Sequence, residues 1–355
     1  MNNDRIAGKI VLTMLTLALV AGCAGVGPKT ISRDRFDYIE AISSSWKKQT
    51  LLNLVKIRYV DAPVFLEVSA IISQYEIGGD IQLGATANPL GGDSQTVGGS
   101  TSYTDRPTIT YNPLKGEKFA RSLMEPIPLS AFLALIQSQY PVDFVFRVGV
   151  HTINGLNNSF GGRLMGHSVH PDFPKLIAAL RRIQLSGGLG MRVKSDGDER
   201  STAMFFRKEH PVEMDKDINT VATILGLDKN ARDFRVRYGA YAADDQEIAV
   251  ITRSMLQIIA DLASYIEVPP QDVQEGRVAA GSGETVSGMP PLIRIHSSTG
   301  TPDDAFVAVW YRKAWFYIND TDVASKRMFS FLMMLSSLTE TSAQTGAPIV
   351  TVPTN

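Results

Sequence analysis

A single cysteine, Cys23, occurs in 355 residues, which excludes a disulfide scaffold and leaves no other thiol for zinc ligation or nucleophilic attack. Charge of one sign is also missing. With 35 Lys and Arg against 36 Asp and Glu, a formal charge of −1 and 44 % apolar residues, the chain matches neither a disordered segment nor a basic nucleic-acid binder. No apolar run reaches the roughly 20 residues that a membrane-spanning helix needs. G-x-S-x-G, H-E-x-x-H, Walker A and dinucleotide-binding glycine motifs are all absent. Gly281-Ser282-Gly283-Glu284-Thr285 has the glycines of a phosphate loop, but it lacks the lysine and follows no strand. Five histidines, His151, His167, His170, His210 and His296, are few for a metal centre. The H-x-x-H pair His167/His170 lies between Gly166 and Pro171 and reads as loop, so neither metal nor cofactor is expected. The basic pairs Lys47-Lys48 and Arg181-Arg182 read as solvated helix faces. A Ser-His-Asp triad assembles from distant positions, and His151, His167 and His296 leave that chemistry open without singling out a residue.

What is present begins at residue 1. Arg5 and Lys9 precede an apolar stretch from Ile10 to Ala21, the layout of a secretory signal segment over 1–22. Val20-Ala21-Gly22-Cys23 resembles the lipobox of bacterial lipoproteins. The resemblance implies cleavage between Gly22 and Cys23, a diacylglyceryl thioether on Cys23 and acylation of the new amine. It also implies that Ala24, where family members kept at the inner membrane carry Asp, directs the protein to the outer membrane, facing the periplasm. One acyl chain binds a bilayer marginally, whereas two or three hold a protein there. Removing Asp4, Arg5 and Lys9 takes away one net positive charge and leaves −2, so acyl chains rather than basic residues would supply the attachment. Residues 23–32 read as a tether reaching at most about 30 Å.

Beyond it, Ser32 reads as the cap of an amphipathic helix carrying Phe36, Ile39, Trp46, Leu51, Leu54 and Ile57, ended by Asp61-Ala62-Pro63. Val64–Ile72 reads as a buried strand. The block LLNLVKIRYVDAPVFLEV resembles envelope lipoproteins that are themselves of unknown function. Over 74–111, apolar residues hold odd positions (Tyr75, Ile77, Ile81, Leu83, Val97, Tyr103, Ile109) and polar ones even positions, around the loop Asn88–Ser94. This predicts a long amphipathic β-hairpin. Such a hairpin suits either one stave of an oligomeric transmembrane barrel or a curved ribbon packed on its own domain.

The remainder predicts alternating helices and strands: helices at Gly116–Met124 and around Leu129–Ile136, a strand at Asp143–Val150, a helix at Pro174–Ile183, and strands at Gly190–Lys194 and Ala203–Arg207. Asp217 reads as the cap of a helix ending at Leu225-Gly226, Phe234–Tyr241 as a strand, and Ile248, Ile251, Met255, Ile258, Leu262 and Ile266 as the stripe of one long helix. Residues 269–291 read as a Gly/Pro-rich loop. Strands at Leu292–His296, Phe306–Tyr311, Trp315–Ile318 and Pro348–Val352 enclose a buried helix over Asp322–Leu338. The expected class is α+β with mostly antiparallel sheets, divided as 33–112, 113–268 and 292–355 around that loop. The expected role is a lipid-anchored, structural or interaction component of an envelope assembly, with protein partners, self-association open and no nucleic acid. An envelope hydrolase, an oligomeric pore subunit and a binder of small ligands are the alternatives.

Overall fold

The computed structural model describes residues 28–72, 75–86, 94–105, 108–158, 169–196, 199–207, 211–280, 289–339 and 350–353. The fold is α+β, and among the described residues the sheets are mostly antiparallel. Cys23, His167, His210 and Gly281–Thr285 lie outside the described residues. The chain divides into two compact units, Met1–Gln49 and Thr50–Asn355.

Helix α1, Pro28–Arg58, starts earlier than the Ser32 cap implies, at a proline whose fixed φ and missing N–H suit a first helical turn. The second half of the expected tether is therefore helix, rising about 1.5 Å per residue rather than the 3.3 Å or so of extended chain. At the other end Val60 takes φ 60°, a left-handed conformation that a β-branched residue rarely adopts. Asn53 fixes the turn that follows: its Nδ2 donates to the Val64 carbonyl at 2.8 Å and its Oδ1 accepts from the Val64 N–H at 2.9 Å.

The expected buried strand Val64–Ile72 starts later, as β1 (Leu66–Ile72), and its first part is not buried, Val64 being 51 % and Leu66 42 % exposed. It is followed by β2 (Tyr75–Thr86), β3 (Ser94–Asp105) and β4 (Thr108–Pro113). Helices α2 (Glu117–Met124) and α3 (Leu129–Gln137) fall where the periodicity puts them. The apolar run DFVFRVGV predicts a strand, but the chain forms helix α4, Val142–Gly149. Pro141 stands at its N-terminal boundary, and Val142, Val145, Phe146 and Gly149 recur at helical spacing and are buried. A β-carbon on Gly149 would fall 2.1 Å from the Phe132 ring, so the glycine lets α3 and α4 close up.

A six-stranded sheet in the order β6-β5-β10-β9-β8-β7 forms the centre. Its strands are β5 (Val150–Ile153), β6 (Leu156–Asn157), β7 (Leu189–Asp196), β8 (Glu199–Phe206), β9 (Asp233–Tyr238) and β10 (Glu247–Thr252). Every pairing is antiparallel except β9 with β10. Parallel neighbours ordinarily need a crossover of a dozen or more residues; here 239–246 suffices, because the Arg235 N–H donates to the Gln246 carbonyl at 2.9 Å and folds the connection back along β9. Helices α5 (Phe173–Leu185) and α6 (Glu213–Leu225) pack together. Asp217 is inside α6 rather than at its cap, and its carboxylate takes two guanidinium nitrogens of Arg182 at 2.6–3.0 Å. Gly226 ends α6 at φ 68°.

The long helix expected from Ile248 to Ile266 is two elements. Strand β10 runs through the β-branched EIAVIT, and helix α7, Met255–Ser264, begins only after it. The boundary is a capping box: Gln257 N–H donates to Ser254 Oγ at 3.2 Å, and Ser254 N–H donates to Gln257 Oε1 at 3.0 Å. A short helix α8, Pro270–Gln274, interrupts the expected 269–291 loop. Leu292–Ile295 is not strand; β11 covers His296–Ser298 and pairs with β13 (Ala314–Asn319), which pairs with β12 (Ala305–Tyr311). Helix α9, Val323–Thr339, buries Met328, Phe329, Phe331, Leu332 and Leu335. Strand β14, Val350–Pro353, completes the list.

Candidate functional site

The hairpin is the feature that the rest of the fold does not absorb. Strands β2 and β3 pair through twelve consecutive rungs, from Tyr75–Asp105 to Thr86–Ser94. At its root β1 pairs with β4, and between Ile72–Thr108 and Tyr75–Asp105 each strand advances three residues, so one register runs through both ladders. A register change between Val68 and Ala70 makes the bulge at Ser69. Side chains alternate along a strand, so one extra residue moves everything beyond it to the opposite face. Below the bulge Val68 therefore pairs with Tyr111, and above it Ile71 pairs with Ile109, which keeps apolar positions of both strands on one face. Strand β14 extends that row: Val350 pairs with Tyr111 and Val352 with Ile109.

Further out, β2 and β3 form a two-stranded sheet of their own. Residues paired across an antiparallel ladder share a face. One face thus carries Ile77 with Tyr103, Ile81 with Gly99 and Leu83 with Val97; the other carries Glu76 with Thr104, Asp80 with Ser100 and Gln82 with Gly98. Neither face is covered at mid-length by another described element. A β-carbon built at Gly79 or Gly99 on the first face, or at Gly78 or Gly98 on the second, meets atoms of the hairpin alone. Packing of one face onto the protein's own body is therefore not what the described residues show at these positions, and Gly79, Asp80, Gln82, Gly98, Gly99, Ser100 and Ser102 are exposed. The outer edges of β2 and β3 are not paired by any described strand. Such edges are templates for strand addition.

A second feature is a cavity of about 650 Å³ beside the end of α7 and α8, within the usual range for small-ligand sites. Ile266, Val268, Val273 and Ile293 give it apolar walls, and Glu267, Arg294 and His296 supply polar groups. His296 Nδ1 stands 3.0 Å from Glu267 Oε2, and the His296 ring lies 5.6 Å from that of Tyr317. Of the histidines available for a triad, His296 thus has a carboxylate, but among the described residues no serine hydroxyl bonds its ring. His170 is committed differently, its Nδ1 accepting the Asp172 N–H at 3.2 Å. Nearby, Arg58 is fully buried, its Nε donating to the Ile266 carbonyl at 3.4 Å and one terminal nitrogen to that of Ala279 at 2.5 Å. Burial holds its affinity for the proton below that of a solvated arginine. The pair Arg181-Arg182 is not a free basic face, since Arg181 donates to Gln184 and Arg182 clamps Asp217.

Among the described residues no group of three or more His, Cys, Asp or Glu side chains is placed to hold a metal ion, and no helix is long and apolar enough to cross a membrane. The α+β class is as far as resemblance in fold can be taken: no protein-family model, no curated protein and no solved structure matches this chain.

Proposed function

We propose that the protein is a lipoprotein of the bacterial envelope, held by lipid on Cys23 at the periplasmic side of the outer membrane, and that it serves an envelope assembly by pairing the edges of the 66–113 hairpin with another chain. The observation that carries the assembly role is the twelve-rung ladder of β2 and β3, uncovered at its mid-length glycines and unpaired at its edges by any described strand. Exposed edges of that length are ordinarily blunted by proline, lysine or bulges, yet β2 and β3 contain none of the three. The anchor rests on the lipobox-like Val20-Ala21-Gly22-Cys23.

Two measurements test this reading. Mass spectrometry of the native N-terminus should find acyl chains on Cys23, and Cys23→Ser should move the protein out of the membrane fraction; unchanged fractionation overturns the anchor. A photo-crosslinking residue at Gln82 or Ser100 should capture an envelope protein in intact cells, whereas one at the exposed Lys175 of α5 should not; equal capture from both overturns the hairpin as the docking element. The His296–Glu267 pair favours a second reading, an envelope hydrolase, which requires a nucleophile brought to His296 by a partner or substrate.

A further inference from the structure

We infer that the partner of the hairpin is a second copy of this chain, and that β2 of one copy pairs with β3 of the next to close a transmembrane β-barrel, each copy giving two strands. This rests on the envelope location proposed above and adds to it the partner and an activity, the passage of ions.

Three properties of the hairpin converge on that arrangement. The first is length. Twelve residues at about 3.4 Å span about 40 Å, and membrane strands need at least 9 to 11 residues when tilted. The apolar positions from Ile77 to Ala85 occupy about 27 Å of strand, or about 21 Å along the normal at a tilt near 40°, close to the roughly 25 Å lipid-facing band of such barrels. The second is segregation. All twelve positions on the even face are Gly, Ser, Thr, Gln, Asp or Glu, as a water-filled lumen requires; the odd face carries Ile77, Ile81, Leu83, Ala85 and Val97, with Tyr75 and Tyr103 towards the root where an interfacial girdle would stand, and its polar residues are Gln95, Thr101 and Asp105. The third is charge. Strand β3 has one charged residue, Asp105 at the root, while β2 has Glu76 and Asp80. Pairing β2 with β3 of the next copy in the register of the hairpin itself sets Glu76 opposite Thr104, Asp80 opposite Ser100 and Asp105 opposite Tyr75. Pairing β2 with β2 would juxtapose like charges, which is unfavourable. The charge pattern thus favours head-to-tail addition, the kind that closes into a ring.

An aqueous channel needs about 16 strands or more, hence about eight or more copies. Its lumen would carry one ring of Glu76 and one of Asp80, and rings of carboxylates select cations.

The test uses the full lipidated chain, purified in detergent and reconstituted into liposomes and planar bilayers. The expected results are ring-shaped particles of eight or more copies and a conductance that prefers K⁺ to Cl⁻. Glu76→Gln with Asp80→Asn should abolish that preference while leaving ring size unchanged. Leu83→Asp, on the lipid-facing row, should abolish insertion while the thermal melt of the body stays as in the wild type. A chain that remains monomeric in detergent and in liposomes overturns the inference, as do rings without conductance, or conductance that keeps its cation preference in the Gln/Asn variant. If crosslinks from Gln82 run to other envelope proteins and not to a second copy, the barrel falls while the assembly role stands.

Discussion

Arg253 Nη1 donates to Asp261 Oδ2 at 2.9 Å with both side chains almost wholly out of solvent, 1 % and 2 % exposed. The same arginine reaches the carbonyls of Arg147 and Val148 at 3.3 and 3.4 Å, and its backbone N–H donates to Gly149 at 2.7 Å. It thereby ties the end of α4 to the junction of β10 and α7. Removing one member of a buried pair strands the other charge at a cost of about 3–5 kcal/mol, whereas replacing both with apolar groups is often near neutral. Arg253→Met and Asp261→Leu should each lower the urea midpoint strongly, and the double variant should lose far less than the two together. Additive losses would mean that the two charges are not coupled.

Arg58 should behave in the opposite way. It is as buried as Arg253, but among the described residues backbone carbonyls alone accept its hydrogen bonds, and its second terminal nitrogen has no partner there. Arg58→Met keeps the length of the stem and removes a desolvated charge. Equilibrium unfolding should show a change within about 1 kcal/mol of zero or a gain in stability, where the same substitution at Arg253 is costly.

The β12–β13 turn holds Arg312 at φ 47° and Lys313 at φ 69°. A two-residue turn of this kind favours Asn-Gly, because both positions are left-handed. In β5–β6 the same geometry is filled by Asn154 and Gly155. Arg312 has compensation, its guanidinium lying 5.4 Å from the Tyr59 ring centre and 5.6 Å from that of Tyr311. Lys313 lacks any such ring contact among the described residues. Lys313→Gly should therefore raise stability by about 0.5–1 kcal/mol, read as a higher melting temperature. Arg312→Gly should gain less or lose.

Stability should fall at both ends of the pH scale. The Tyr311 hydroxyl donated to Asp61, the Lys175 ammonium on Asp172, and the Gln246 N–H with Arg235 on Asp244 hold these carboxyls below their ordinary range. Their contribution is complete above the unfolded value of about 3.9 and is lost as pH drops through the lowered folded values. Burial, followed by the hydrogen bond to Asp272, pushes the Tyr59 hydroxyl up, and burial with the Asp61 bond does the same to Tyr311. Those contributions are present below about pH 10 and vanish above it. Denaturant midpoints measured from pH 2 to 11 should be level across the neutral range and decline on both sides.

The hairpin was legible because alternation is a local signal and both strands carry it: Tyr75 and Ile77 fix the parity of one, Val97 and Tyr103 that of the other. The bulge at Ser69 was not, since its effect is visible only when the partner strand is known. Where the sequence reading fails, tertiary context overrides a short apolar run. DFVFRVGV fits strand and helix equally in periodicity, and the accommodation of Phe132 by Gly149 accompanies the helix. The stripe from Ile248 to Ile266 is apolar because β10 is buried on both faces and α7 on one, which mimics a single helical period. Ser254-x-x-Gln257 was a usable signal for the break. No spacing rule joins Glu267 to His296, which meet only because β11 returns to the end of α7.

Strand β14 finishes the root sheet against β4, yet β4 ends at Pro113 and β14 begins at Val350. During synthesis the root of the hairpin stays two-stranded until residues 350–353 have been made. A nascent or truncated chain would display one more bare edge at β4 than the finished protein does, and that edge alone tells the two apart.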